Sequence, residues 1–416
     1  MSTAAHQVEG GNVNNWTEWE LANASQLAKT AATRKVNIGD YSKMSQFPVW
    51  SEIKKQAEDP HNYVSGKGID HYNRFEEDFD IAKKLNFTAF RFGIEWSRIE
   101  PQEGQWDEEA IEHYRDYINE LNERGLEPFM NLWHYTLPTW FADKGGFENA
   151  ANLKYWRRFV HKVSDELLHN VRYVITINEP NVYTSAAYIV GDTPPQKKSV
   201  WLFSRVYWHL IRAHRQAYKI IKAHQKGVQV GVAAQLANIQ AKRPHNYFDQ
   251  FSTKWMRYFW NWFFLRRIRK QQDFVGFNYY FTDYYTGLVE HENPKVPVND
   301  MGWYMEPEGL YPLLLRVWAR FKKPIFVTEN GVADMHDEFR RWWIEETIVA
   351  MERALSEGVD LRGYFYWSLL DNFEWAYGWW PKFGLVEVDR KQGMKRTIRP
   401  SAHWFAKRIA DLKEIH

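Results

Sequence analysis

Residues 72–94 read Y-N-R-F-E-E-D-F-D-I-A-K-K-L-N-F-T-A-F-R-F-G-I. Their first part sets Tyr72, Phe75, Phe79 and Ala82 three and four apart, the spacing of one helix face. Their second part, Thr88–Ile94, is short and rich in aromatic and β-branched residues, as a buried strand is. A helix leading into a buried strand is the repeating unit of parallel α/β architecture.

The unit recurs along the chain. Further strands are predicted at Glu127–Trp133, Tyr173–Asn178, Val228–Gln235, Phe274–Tyr280, Ile325–Thr328 and Leu361–Trp367, with a stub near Thr3–Gln7 as an eighth. Helices are predicted at Glu108–Glu123, Tyr155–Leu168, Leu202–Gln225, Glu308–Phe321, Glu338–Ser356 and Ala402–Leu412. Eight units in 416 residues suit a (β/α)8 barrel, the TIM barrel, as a single domain over residues 1–416. A doubly wound sheet competes, and periodicity alone leaves both open. The strand ends decide. In sequence order they carry His6-Gln7, Arg91, Trp133-His134, Asn178-Glu179, Asn278 with Tyr280, Glu329-Asn330 and Trp367-Ser368. Ordinary caps and turns favour Gly, Asp and Ser. A barrel instead gathers such polar groups at one mouth, where function sits.

Composition narrows the chemistry. The chain has no Cys, which excludes a disulfide framework, a thiolate metal site and a Cys nucleophile. A net charge of +2 gives no bulk field for nucleic acid or an anionic membrane, so neither is expected as a partner. The 15 His show no metal-ligand spacing. Met1–Gln7 lacks a basic region followed by an apolar one, so no secretory signal is read and a cytoplasmic location is expected. The uncharged run Tyr258–Leu265 is far short of the roughly 20 residues a membrane span needs. Trp255, Phe259, Trp262 and Phe263 fall on one helix face beside Arg257, Arg266, Arg267, Arg269 and Lys270. The favoured reading packs this face on the core and leaves the basic end in solvent. A membrane-surface helix is the minor alternative.

Glu179 and Glu329 each follow an apolar strand, in Y-V-I-T-I-N-E-P and P-I-F-V-T-E-N-G. Either alone would be read as a cap or an ion-pair partner. Two in one barrel mouth are the equipment of glycosidic bond cleavage. One carboxyl protonates the leaving oxygen and the other attacks C1 or activates water, so the two need different surroundings. Glu179, with few cations near it in sequence, is expected to have a raised pKa and to act as acid. Glu329 is expected to stay ionised beside Arg91 and Tyr280.

These segments resemble glycoside hydrolase family 1, the retaining β-glycosidases, from Gln7 to about Phe405. The most specific are T-I-N-E-P (176–180), V-T-E-N-G (327–331) and W-S-L-L-D-N-F-E-W (367–375). H-Q-V-E-G (6–10), F-R-F-G-I-E-W-S-R-I (90–99), G-F-N-Y-Y (276–280), G-W-Y-M-E-P-E-G-L (302–310) and F-G-L-V-E-V-D (383–389) support them. The resemblance implies that Glu179 is the acid/base and Glu329 the nucleophile, with Tyr280 and Arg91 orienting the latter. It implies that Gln7, His134, Asn178, Glu374 and Trp375 bind the sugar, that Trp367 lies beneath it and that Trp303 walls the leaving group. Asn278 joins the substrate-binding set, and Trp133 and Tyr135 are further aromatic candidates. It implies no cofactor or metal, and as substrates unphosphorylated β-glucosides, β-galactosides or β-fucosides, either small saccharides or aryl and alkyl glycosides. Retention would set the two carboxyl groups about 5–5.5 Å apart. Glu374 disfavours 6-phosphorylated sugars, since a carboxylate repels phosphate. A transglycosylase on the same site and a non-catalytic sugar-binding barrel are the other readings.

The chain also departs from the family pattern. H-Q-V-E-G follows Met1 closely, so a short first strand is expected. Tyr135 stands where a Trp commonly follows the histidine, and Asn181 where an aromatic often follows N-E-P. The loops between Gln235 and Phe274 and after Glu329 are short, which implies an open mouth.

Overall fold

The computed structural model describes residues 1–36, 41–291, 293 and 295–415, the side chains of 413–415 excepted. Seven parallel strands run in sequence order around one sheet: β1 (Ala89–Gly93), β2 (Glu127–Asn131), β3 (Tyr173–Asn178), β4 (Gln229–Gln235), β5 (Val275–Asn278), β6 (Ile325–Asn330) and β7 (Leu361–Tyr366). The N-terminal segment closes the ring. Ser2 bridges in parallel to Arg91 on one side and Trp367 on the other, and Thr3 N–H donates to Arg91 O at 2.9 Å. The eighth strand is therefore shorter than the expected Thr3–Gln7 stub. Its pairing is centred on Ser2, and Ala5–Val8 turns at once into a helix that carries Gln7 to the mouth. The architecture is a (β/α)8 barrel.

The outer helices are α1 (His71–Lys84), α2 (Glu108–Glu123), α3 (Leu153–Leu167), α4 (Val200–His224), α5 (Tyr247–Arg257), α6 (Phe263–Ile268), α7 (Leu310–Phe321), α8 (Arg340–Ser356) and α9 (Pro400–Ile415). Local chemistry fixes their starts. Asp107 accepts from Ala110 N–H at 2.9 Å ahead of α2, and Ser199 caps α4. Two helices before the barrel proper, Asn15–Thr30 and Trp50–Ala57, have no counterpart among the expected elements.

The lower barrel is plugged by Phe129, Ile175, Ala233, Phe274, Phe326 and Phe365. Their rings meet edge to face, with centroids 4.6 Å apart for Phe129 and Phe365 and 5.1 Å for Phe274 and Phe326. This plug leaves only the upper barrel open. There the register slips at three points, between Ile175 and Asn178 on β3, between Phe277 and Asn278 where β5 meets β6, and between Tyr364 and Tyr366 where β7 meets β6. One extra residue re-aims the side chains that follow it. All three lie beside the two glutamates.

Candidate active site

The mouth of the barrel holds a cavity of about 510 Å³. Its walls include Gln7, His134, Glu179, Tyr280, Glu329 and Glu374, together with Trp303, Trp367 and Trp375. Arg91, Asn178 and Asn278 are fully buried beneath this wall and reach it through hydrogen bonds.

Glu329 ends an apolar strand and is almost fully buried. The guanidinium of Arg91 donates to its Oε1, and Tyr280 Oη donates to its Oε2 at 3.0 Å. Arg91 also donates to Asn178 Oδ1 at 2.6 Å, so one cation locks both strand ends. A buried ion pair is tolerated where the carboxylate lone pairs are met by donors, as both Glu329 oxygens are here.

Glu179 lives differently. It sits in the left-handed backbone region, with φ 41° and ψ 60°, between Asn178 and Pro180. That conformation costs a non-glycine residue about 1 kcal/mol or more. Pro180, the first residue of the following short helix, suits that position because the missing N–H has no intrahelical partner there. Tyr135 and Trp375, with φ of 75° and 46°, are strained in the same way, so strain gathers around this cavity. Asn278 Nδ2 donates to Glu179 Oε1 at 2.8 Å, Tyr135 Oη donates to Oε2, and no cation touches it among the described residues. Burial, and after it the charge of Glu329, pushes its pKa up to about 7. Glu374 follows the same logic. Burial and the charges of Glu329 and Glu179 push it up to about 8, opposed by a 3.3 Å hydrogen bond from Gln7 Nε2.

His134 is held neutral, its pKa pulled well down by burial and by the charges of Arg91 and His6. Asn178 Nδ2 donates to its Nε2 at 3.0 Å. The rings of His134 and Trp375 stack with centroids 5.8 Å apart, and His6 stacks on Trp375 at 5.6 Å. Trp303 packs edge-on against Phe281 at 4.9 Å.

Some residues fall elsewhere than expected. Asn278, expected against the sugar, faces Glu179, and its Oδ1 accepts from Thr328 at 2.7 Å. Trp133 is core: its Nε1–H donates to Thr136 O at 2.8 Å among Phe147 and Tyr183. Asn330 anchors α8 rather than the cavity, accepting from Trp343 Nε1 at 3.0 Å. Gln235, Met256 and Trp260 line the cavity without having been singled out. Gln235 was legible as the remaining strand end. Trp260 was hidden in the aromatic run assigned to packing. On that run the expectation fails in part. Trp262 is buried, but Trp255 and Phe259 are each 48% exposed. A wider turn at Tyr258–Trp262 adds a residue to the helix and splits the expected face in two.

A barrel whose mouth gathers paired, differently held glutamates among stacked aromatics defines a glycosidase. The model of "Glycosyl hydrolase family 1" matches residues 38–268 and 264–414. Beta-glucosidase A of Thermotoga maritima is 30% identical, over 95% of this chain and 98% of that enzyme. The chloroplastic galactolipid galactosyltransferase SFR2 of Arabidopsis thaliana is 33% identical over 80% of this chain, which spans 56% of that protein's length. Among solved structures, a beta-glycosidase from Pyrococcus horikoshii superposes with a TM-score of 0.84 at 31% identity, covering 98% of this chain and 92% of that one. The Thermotoga maritima beta-glucosidase in complex with glucoimidazole gives 0.83 at 27%, covering 99% and 97%. The chain belongs to glycosyl hydrolase family 1 and is an O-glycosyl hydrolase of the β-glucosidase type.

Proposed function

We propose that the protein is a retaining exo-β-glycosidase for unphosphorylated β-glucosides and closely related sugars. The observation that carries this is the contrast between its glutamates: Glu329 is gripped by Arg91 and Tyr280, while Glu179 is desolvated and pushed up to about 7. Glu329 attacks C1 as Glu179 gives its proton to the leaving oxygen. The C1–O bond breaks and a C1–Oε ester forms. Glu179, now ionised, takes a proton from water. The water oxygen bonds C1 and Glu329 leaves as a carboxylate. His134, Gln7 and Glu374 supply hydrogen-bonding groups for the sugar rim, Asn178 orients His134 from beneath, and Trp367 and Trp375 supply apolar faces. Among the described residues no Lys or Arg lines the cavity, so a 6-phosphate would meet no free cation.

Transfer to an acceptor other than water is the second reading, favoured by the relative whose name is a galactosyltransferase and by the apolar wall of Met256, Trp260 and Phe281 beside the leaving-group side.

The test is hydrolysis of a panel of aryl β-glycosides, with the first-formed anomer followed by NMR. Glu329→Gln is expected to lose turnover on every substrate. Glu179→Ala is expected to lose about 10²–10⁴-fold on poor leaving groups and far less on activated ones. An α-anomer as first product from wild type, or equal losses for the two variants on all substrates, would overturn the assignment.

A further inference from the structure

Between α5, α6 and α7 lies a second cavity of about 1110 Å³. Its lining carries Lys254, Arg257, Arg266, Arg269, Arg316 and Arg320, and no carboxylate among the described residues. Among the described residues none of the six makes an ion pair. Arg316 donates to Asn238 Oδ1 at 2.8 Å and Arg257 to Ile239 O at 2.6 Å, both neutral acceptors. Arg320 lies over the ring of Trp262 at 4.8 Å and Arg266 over that of Tyr258 at 5.7 Å. Four of the six cations are thus positioned by neutral groups, without a counter-charge among the described residues. Burial and the charge of Arg316 lower Arg257 to about 10.

Beside this cavity runs a ridge of large apolar side chains. Tyr247, Phe248, Phe251, Trp255 and Phe259 are between 48% and 88% exposed. Phe251, Trp255 and Phe259 are spaced four apart, and the rings of the last two stack at 5.1 Å. The ridge extends to the hairpin tip, where Gly287 lies against Phe248 and Leu288 and Val289 are exposed. Monomeric soluble proteins seldom leave such a contiguous patch uncovered.

We propose that this face docks on an anionic lipid surface, the aromatic ridge entering the headgroup layer and the arginine cavity receiving lipid phosphates. Charge complementarity selects the occupant. Unpaired guanidinium groups call for phosphate, and Trp and Tyr favour the membrane–water boundary. A second copy fits poorly, because a two-fold contact would bring the same cations against these. The protein would lie on the surface without crossing it, and among the described residues no helix is long and apolar enough to span. Met256 and Trp260, in the same helical segment, line the catalytic cavity.

The test is co-sedimentation of the full chain with vesicles of phosphatidylcholine alone or mixed with phosphatidylglycerol. Partition is expected with the mixed vesicles only, to weaken with salt, and to shift Trp fluorescence to shorter wavelength. Each arginine near an anionic leaflet contributes roughly fivefold to partition, so Arg266→Glu/Arg269→Glu/Arg320→Glu is expected to lose about 100-fold or more. Trp255→Ser/Phe259→Ser, on the solvent side and safe for folding, is expected to lose about tenfold or more. Both variants should hydrolyse a soluble aryl β-glycoside at the wild-type rate. Equal partition to both vesicle types, no loss in the Trp255/Phe259 variant, a concentration-dependent dimer without vesicle binding, or stabilisation by inorganic phosphate alone without vesicle binding would each overturn the proposal.

Discussion

Tyr135 offers a direct handle on the acid. Its hydroxyl donates to Glu179 Oε2, the Asn278 amide holds Oε1, and both bonds favour the ionised carboxyl. Tyr135→Phe removes one donor without opening space. A hydrogen bond to a charged group contributes about 1.5–3 kcal/mol, against about 1 kcal/mol for the same bond to a neutral one. The difference, about 0.5–2 kcal/mol, centres near one pKa unit at about 1.36 kcal/mol per unit. Losing a donor that favours the charged form raises the pKa. Glu179 is therefore expected to move from about 7 to about one unit higher. The assay is kcat/KM against pH with an alkyl β-glucoside, whose leaving group needs the proton, because this profile reports the free enzyme. The alkaline limb should shift upward by about one pH unit, while the acid limb stays. A 2,4-dinitrophenyl glycoside should show a much smaller change. An alkaline limb that stays within a few tenths of a unit, or moves toward acid, would refute the account of Glu179.

Two further changes test the surroundings. Glu374 has a folded pKa of about 8 against an ordinary 4.5, so its contribution to stability is complete below the lower value and lost as pH rises through the upper. Glu374→Gln should therefore leave the melting temperature nearly unchanged at pH 4 and raise it relative to wild type at pH 9, and a difference independent of pH would sink this. Asn330 Oδ1 accepts from Trp343 Nε1, Tyr364 Oη at 3.1 Å and Thr347 Oγ1 at 3.3 Å, and its Nδ2 donates to Tyr279 O at 2.7 Å. Asn330→Ala strands buried donors, and denaturant unfolding should show a loss of about 2–4 kcal/mol with the pH profile unmoved; lost activity without lost stability would place Asn330 in the site instead.

The barrel was legible because its strands are buried and its helices capped. Tyr173–Asn178 and Glu108–Glu123 fall where β-branched run and helical period place them. Asn15–Thr30 was not, since its buried face mixes Trp16 and Trp19 with Ala24, Ala28 and Glu20. Glu20 reads as polar in sequence, yet it is fully buried, accepting from His6 at 2.7 Å and from Ser65. The site's membership was legible from strand ends, but its wiring was not. Whether Asn278 serves a sugar or Glu179 depends on a register slip between β5 and β6, and an inserted residue leaves no local mark in composition. The bond from Tyr135 likewise needs the left-handed backbone at both Tyr135 and Glu179.

Strand ends and helix faces differ in what a sequence can say of them. Once a barrel is inferred, topology alone brings every strand end to one mouth, so Glu179 and Glu329 can be paired without coordinates. No such rule gathers the outer faces of helices. The period that puts Trp255 and Phe259 on one face is the same whether that face meets a core or solvent. The added residue at Tyr258–Trp262 then sends Trp262 inward and leaves the earlier pair outside. The charge signal is split in the same way. Arg266 and Arg269 stand together in sequence, but Arg316 and Arg320 come from α7, and only the packing of α7 beside α5 and α6 makes one cation-lined cavity of them. A net charge of +2 averages this cluster away, so a whole-chain sum gives no guidance about a single face.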